Sequence, residues 1–351
     1  MGEATVIILH PPPEDVGPLT DLLDDARSLL AAHQAKLFRA AGAARVGIDR
    51  SSRRSTFGAR LDELAASEDG GLVLLGAGAA PRLRRSDAGR LVAIARGQGP
   101  PAMSNNRHSS DVLAVADVAM LRGLATETSD NALPRRLAER GVAVAELPGR
   151  ERLAMDLDSP LDLAVLCLTG DAPRSLRESA ASARLAVPRL AELRAVAADS
   201  GAELLVFGRS SARSLAWLER GTACRVRFLA EERGLRTAPI GQRASRSTLG
   251  RLLELRGPDA LATIVAELAD GAILDTRVLM ADRFGRDEAG WPSPEDRFSS
   301  DLLAVADVGD PWLRTLTISA ANAAIPIVLG GHTTVGPGLR PLLGQRVPSG
   351  P

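Results

Sequence analysis

The stretch Asn105-Asn106-Arg107-His108-Ser109-Ser110-Asp111 places amide, guanidinium, imidazole, hydroxyl and carboxylate groups side by side, just ahead of an apolar run. Arg107 can clamp a carboxylate or phosphate, Asn105 and Asn106 can hydrogen-bond a ligand, His108 can transfer a proton, and Asp111 completes the set. The competing reading is a structural turn in which Arg107 pairs with Asp111. A second group, Gly208-Arg209-Ser210-Ser211, follows another apolar run and opens a helical pattern. Glycine, hydroxyls and a helix N-terminus together suit an anion, although serine-rich N-caps also arise for purely local reasons. Gly331 and His332 follow the last apolar run, where glycine lets backbone approach a ligand closely and His332 adds an imidazole. Asp156 and Asp158 share a face if their segment is extended, and Asp275 ends an apolar run, so all three are candidate metal ligands. Capping by Asp158 or Ser159 ahead of Pro160 competes with that role. Asp275, Glu295, Asp296 and Asp301 form a second acidic set. The catalytic residues stay unknown at this level, because the chain has no Gly-x-Ser-x-Gly elbow, zinc-ligand pair or dinucleotide fingerprint.

These groups sit between short apolar runs that alternate with amphipathic segments, the pattern of a mostly parallel sheet flanked by helices. Strands are expected at Thr5–Leu9, Arg45–Ile48, Gly71–Leu75, Val112–Ala116 and Val142–Ala145, then at Glu203–Phe207, Arg225–Leu229, Ala272–Asp275, Leu302–Ala306 and Ile325–Leu329. Helices are expected at Leu19–Ala41, Arg135–Glu139, Ser214–Glu219 and Pro258–Leu268, with one from about Leu176 to Ala198 opening the second half.

The segment Arg107-His108-Ser109-Ser110-Asp111-Val112-Leu113-Ala114-Val115-Ala116-Asp117-Val118 returns as Arg297-Phe298-Ser299-Ser300-Asp301-Leu302-Leu303-Ala304-Val305-Ala306-Asp307-Val308. Ser55-Thr56-Phe57-Gly58 upstream is answered by Ser247-Thr248-Leu249-Gly250 over a nearly equal span. Order and spacing imply an internal duplication. The expected architecture is therefore α/β: two tandem three-layer α/β/α lobes related by duplication, with mostly parallel sheets. The first lobe covers residues 1–170 and the second 176–340, separated by the polar Asp171–Ser175 stretch, with a flexible tail at 341–351.

Composition narrows the function classes. Lys plus Arg and Asp plus Glu both number 43, so no charge excess advertises nucleic acid or an anionic membrane as a partner. Lys36 is the only lysine and tyrosine is absent, as expected of coding in a GC-rich genome. Cys167 and Cys224 lack metal spacing and read as buried thiols. With no long apolar run and no basic leader, a soluble cytoplasmic protein is expected.

Met155-Asp156-Leu157-Asp158-Ser159-Pro160-Leu161-Asp162-Leu163 resembles the Asp-x-Asp-Thr-Pro-Glu-Asp-Leu stretch that closes many nucleotidyltransferases of the glycosyltransferase-A-like superfamily. Guanylyltransferases of molybdenum-cofactor and 2-phospholactate metabolism are of this kind. Gly71 to Pro81 resembles the strand that ends, in those enzymes, in an Asp-x-Pro-type turn holding Mg²⁺. The resemblance spans residues 1 to about 168. It implies a lobe that binds a nucleotide at the carboxyl ends of its strands, with Mg²⁺ as candidate cofactor. Two departures stand out. Where the family has a glycine-rich loop that cradles phosphates with N–H groups, this chain has Pro11-Pro12-Pro13, which supply none. Glycine and alanine replace the metal-holding Asp between Gly76 and Pro81. The expected partner is a nucleotide or phosphorylated metabolite, acted on by a divergent transferase or bound by a non-catalytic regulatory protein. Homo-oligomeric assembly of the two lobes is the third option.

Overall fold

A computed structural model describes residues 2–13, 15–51, 57–107, 110–124, 130–233, 235 and 244–344. The chain forms two compact units, each an α/β fold. The first comprises residues 1–14, 24–157 and 171–176, and the second 15–23, 158–170 and 177–351.

The first unit is built on six strands: β1 (Ala4–Leu9), β2 (Arg45–Asp49), β3 (Gly71–Gly76), β4 (Ala102–Ser104), β5 (Val112–Val115) and β6 (Val144–Glu146). They lie in the order β2-β1-β3-β5-β4-β6. β1 runs parallel to β2 and β3, and β4 to β6, while β5 is antiparallel to both its neighbours. Alternate residues feed two cores. Val6, Ile8, Val73 and Leu75 pack with Phe38 of helix Pro18–Ala40 and Leu91 of helix Arg85–Ala95. Ile7, Leu72 and Leu74 point the other way, to Leu61 and Leu64 of helix Phe57–Ser67 and to Leu137 of helix Leu133–Glu139. Burial on both faces explains why β1 and β3 read as continuous apolar runs.

The second unit carries β7 (Glu203–Gly208), β8 (Arg225–Ala230), β9 (Gly271–Asp275) and β10 (Ile327–Gly330), all parallel, in the order β10-β9-β7-β8. Leu205, Phe207, Leu274 and Leu329 share one core with Leu253, Val278 and Leu316 of three covering helices. The chain moves outward from β7 to β8, then returns past β7 to β9 and β10. The carboxyl ends of β7 and β9 therefore flank a topological switch point, where α/β sheets open a crevice for ligands.

The two similar segments do not superpose as elements, so the expected duplication is corrected. Val112–Val115 is strand β5, whereas Pro294–Asp301 is a helix and Val305–Asp307 a 3-10 turn. Local context explains the difference. Ser293 accepts a hydrogen bond from Asp296 N with Pro294 at the first helical position, which starts a helix that carries Arg297 to Asp301 with it. Leu303, at φ 56°, then ends the run in the left-handed region. The expected strand at Leu302–Ala306 is lost for this reason. The single helix expected from Leu176 to Ala198 is two, Arg174–Ser182 and Leu190–Ala198, divided ahead of Pro188 and by Arg189 at φ 53°. Within the expected tail, Leu339–Leu343 is helical, and residues 345–351 lie outside the described residues. No helix among the described residues is long and apolar enough to cross a membrane.

Candidate functional site

In the second unit, strand ends converge on a buried polar network. β7 ends at Gly208, whose φ of +123° is a conformation glycine tolerates, and a Cβ there would lie 2.2 Å from the Asp275 Cβ. This close approach lets Arg209 face Asp275 at the end of β9. Arg209 Nε donates to Asp275 Oδ2 at 2.6 Å and Nη2 donates to Oδ1 at 3.1 Å. Burial works against ionising Asp275, but the guanidinium overrides it and holds the carboxyl below its ordinary range. Beside it, Arg277 makes a two-pronged pair with Asp301, Nη2 donating to Oδ2 at 2.7 Å and Nη1 to Oδ1. Both carboxylates are fully buried. Burial opposes the charge on Arg277, and the facing Asp301 more than offsets it.

Asp162 adds a third kind of carboxyl. Ser159 caps helix Pro160–Cys167, and Asp162 Oδ2 accepts from Asp158 N at 3.0 Å and Ser159 Oγ at 3.0 Å. Its Oδ1 is buried without a hydrogen-bond partner. Burial, then the nearby Asp158, push its pKa up to about 7. His332 Nδ1 lies 3.9 Å from Asp158 Oδ2, and its ring also acts electrostatically on Asp162 and Asp275. Ser210 Oγ donates to Val335 O, while Ser211 Oγ caps helix Ala212–Gly221 by accepting from Ser214 N at 3.2 Å.

Of the residues singled out by sequence, Gly208, Arg209, Ser210, Ser211, Gly331, His332, Asp158 and Asp275 thus gather at one sheet edge. Sequence reasoning missed Asp162 and Arg277 and left Asp301 unplaced. The capping reading at Asp158 or Ser159 ahead of Pro160 located the start of this helix, where Ser159 is the cap, but assigned no role to Asp162. Glu295 and Asp296, grouped with Asp301 by sequence, are used in scaffolding: Glu295 accepts from Leu19 N and Thr20 N at 2.9 Å, and Asp296 Oδ2 from Asp310 N at 3.1 Å.

At the carboxyl edge of the first unit, Asn105 is spent within its own loop. Its Oδ1 accepts from Asp111 N at 3.1 Å and Val112 N at 3.2 Å, and its Nδ2 donates to Asp111 Oδ2 at 3.1 Å and Leu153 O at 2.9 Å. It therefore builds the turn instead of presenting an amide to a ligand, and it takes the Asp111 contact that Arg107 would have made in a structural pair. Asn106 is half-buried, Arg107 is exposed, and His108 lies outside the described residues. A mostly apolar cavity with room for about one water molecule lies here, lined by Leu9, Leu75, Leu113 and Leu133 with Ser110 and Asp111. Beyond β1, buried His10 bonds Ser28 Oγ at 3.0 Å and Arg50 Nη2 at 2.9 Å, with Asp24 at 3.6 Å. Burial and then Arg50 lower its pKa, which favours the neutral imidazole.

The two stretches that carry the family resemblance touch. Ala79 and Asp156 form an antiparallel bridge, Leu157 N donates to Gly78 O at 2.9 Å, and Arg27 Nε donates to Leu157 O at 2.8 Å. A Cβ on Gly78 would sit 2.8 Å from Leu157 O, so glycine is needed where the family places its turn. Mg²⁺ fits this donor set poorly. The turn offers no carboxylate, Asp156 and Asp158 fall in different units, and both Asp275 oxygens are held by Arg209. Among the described residues, no three His, Cys, Asp or Glu side chains group to hold a metal ion. Of the two cysteines expected to be buried, Cys224 is buried and Cys167 half-buried, and burial raises the pKa of both thiols.

Comparison with models of protein families gives no match, and no curated protein matches the chain.

Proposed function

We propose that this chain is a divergent nucleotidyltransferase-like protein that binds a nucleotide-linked or phosphorylated small molecule at the carboxyl edge of its six-stranded sheet. The observation that supports this reading is the bridge between Ala79 and Asp156, which joins the two sequence stretches resembling the superfamily. Arg107 stands exposed on the same edge as an anion-binding group, near a cavity beside Ser110 and Asp111 that has room for about one water molecule. Between transferase and non-catalytic binding protein, the metal-poor turn favours the second. Glycine at position 78 is required by the approach of Leu157, and a carboxylate there would collide with it.

Thermal denaturation with GTP or CTP, in Mg²⁺ or in EDTA, tests this. The expected result is a rise in melting temperature that survives EDTA, since ligand at a hundredfold over its Kd adds about 2.7 kcal/mol. A rise seen only with Mg²⁺ would restore the transferase reading, and no rise with either nucleotide would count against nucleotide binding. Arg107→Ala is expected to weaken that binding about tenfold while shifting the ligand-free melting temperature little, because its side chain is exposed. An equal loss of fold stability would make Arg107 structural.

A further inference from the structure

β2 closes one edge of the six-stranded sheet, with β1 as its sole strand neighbour among the described residues. Its register fixes which way each residue turns. His10 N donates to Asp49 O at 2.7 Å, so Asp49 and, two and four residues back, Gly47 and Arg45 direct their main-chain groups to β1. Val46 and Ile48 therefore aim N–H and C=O away from the sheet. Arg39 Nη2 reaches Val46 O at 3.4 Å, while Val46 N and both main-chain groups of Ile48 have no protein partner among the described residues. A bare edge of this kind is a template for another strand. The side chains leave it open as well: Ile48 is 41% exposed, and a Cβ on Gly47 would meet no atom within 4 Å. What fits there follows from the order of charges. Arg45-Val46-Gly47-Ile48-Asp49 has an apolar residue on each side of a central glycine, a cation at one end and an anion at the other. Turned about a twofold axis through Gly47, the strand is its own complement. The outer strand of the four-stranded sheet, β8, carries Arg225 and Arg227 but no acid, and so lacks this symmetry.

We propose that β2 is a self-association edge, through which two copies of this chain pair antiparallel about Gly47 and join their six-stranded sheets into one. Val46 then faces Ile48 of the second copy, and because both point outward, each such pair exchanges two main-chain hydrogen bonds. The Ile48 N–H of the second copy takes over Val46 O from Arg39. Arg45 faces Asp49 of the second copy on the opposite face of the sheet. Within one chain Arg45 already pairs with Glu68, and Asp49 accepts from Arg60 Nε at 2.8 Å. Across the axis the order Glu68, Arg45, Asp49, Arg60 alternates in sign, which extends two existing pairs into one network. A parallel copy in register would instead set arginine against arginine and aspartate against aspartate, so charge selects the antiparallel arrangement. Gly47 faces Gly47 as a pair without hydrogen bonds between them, at about 4.5 Å between Cα atoms. A twofold contact of this kind closes on itself, so association through this edge stops at the dimer. The proposal is independent of the nucleotide reading.

Sedimentation velocity on the full chain, together with disulfide crosslinking, tests this. The unaltered chain is expected to show a monomer–dimer equilibrium between about 1 and 100 µM. Ile48→Pro removes an outward N–H without touching the bonds to β1, and it should weaken the dimer by about tenfold or more. Arg45→Glu places a carboxylate opposite Asp49 of the second copy and should weaken it about tenfold. Gly47→Cys probes the register itself, because thiols at a directly opposed pair lie within disulfide reach and the position has room for the side chain. Gly89→Cys is the control: it lies on helix Arg85–Ala95, where a Cβ also meets no atom within 4 Å. In oxidised glutathione, Gly47→Cys should form a covalent dimer about tenfold faster than Gly89→Cys or more. Cys167 and Cys224 are present in both variants, so their contribution cancels. The proposal is overturned by a chain that stays monomeric across the whole range, or by a dimer that Ile48→Pro leaves unchanged, which would place the contact elsewhere. It is also overturned if Gly47→Cys crosslinks no faster than Gly89→Cys, a comparison that decides alone should the proline variant fold poorly. Arg107→Ala is expected to leave the dimer intact, and Ile48→Pro to leave the nucleotide response of the melting temperature intact, so the two readings fail separately.

Discussion

Asp301→Ala is expected to destabilise the second unit by about 3–5 kcal/mol, because it leaves the Arg277 guanidinium buried without its counter-charge. The pair is two-pronged, and Asp301 is wholly inaccessible. Water cannot enter readily to replace the lost oxygens, which separates this site from the many exposed pairs in the chain. Arg251 with Glu254, both more than half exposed, is one of those, and cutting it should cost about 0–1 kcal/mol. Urea unfolding followed by tryptophan fluorescence makes the comparison. Trp217, Trp291 and Trp312 all belong to the second unit, so the signal reports that unit. Replacing both partners, Arg277→Met with Asp301→Leu, should recover most of the loss, since the desolvation cost of the two charges disappears with them. A loss below about 1 kcal/mol for Asp301→Ala would mean that the pair is hydrated in solution.

Strands β1, β3, β5, β7, β9 and β10 were legible because each is a short run dominated by Val, Leu, Ile and Ala and buried on both faces, and burial of that kind leaves a mark in composition. β4 was not, since Ala102–Ser104 is only three residues between Pro101 and Asn105 and carries no period. Leu302 to Ala306 carries the same apolar signature as Val112 to Ala116, yet its helical start at Ser293-Pro294 decides the outcome upstream. A local run cannot report that. The similar segments therefore misled about duplication, as shared composition in a chain rich in Ala, Leu and Val can.

The second-unit site was half legible for a related reason. Gly208 to Ser211 announce themselves because a glycine, hydroxyls and a helix start fall together in sequence. Arg209 and Asp275 are 66 residues apart, and Arg277 and Asp301 are 24 apart, so their pairing exists only through the sheet order β10-β9-β7-β8. Arg277 looked like one arginine among many in an arginine-rich chain. Asp162 looked like the N3 residue of a capped helix, which it is, and nothing local records that its second oxygen is sealed from water. In the first unit the polar density of Asn105 to Asp111 was visible, but density alone could not divide Asn105, which ties the loop, from Arg107, which faces solvent.

Asp162→Asn is expected to make the protein more stable at pH 8 than the unaltered chain. A buried carboxyl raised from 3.8 to about 7 stays protonated in the fold at pH values where the unfolded chain has ionised it. Between those values the native state binds the extra proton, so stability is full below pH 4 and declines as pH climbs towards 7. Above pH 7 the decline stops, because both states are then ionised and the fold carries a buried, half-satisfied charge. A shift of this size corresponds to about 4 kcal/mol at most, and relaxation around the charge should leave roughly 2–4 kcal/mol. Asparagine keeps an oxygen to accept from Asp158 N and Ser159 Oγ and never ionises. The variant's stability should therefore be nearly flat where the unaltered chain slopes downward, with the curves diverging as pH rises from 5 to 8. Urea midpoints at pH 5, 6, 7 and 8 measure this directly. Parallel curves across that range would show that Asp162 is ionised in the fold at an ordinary pKa, and the unpaired oxygen would then need a cation or water as its partner.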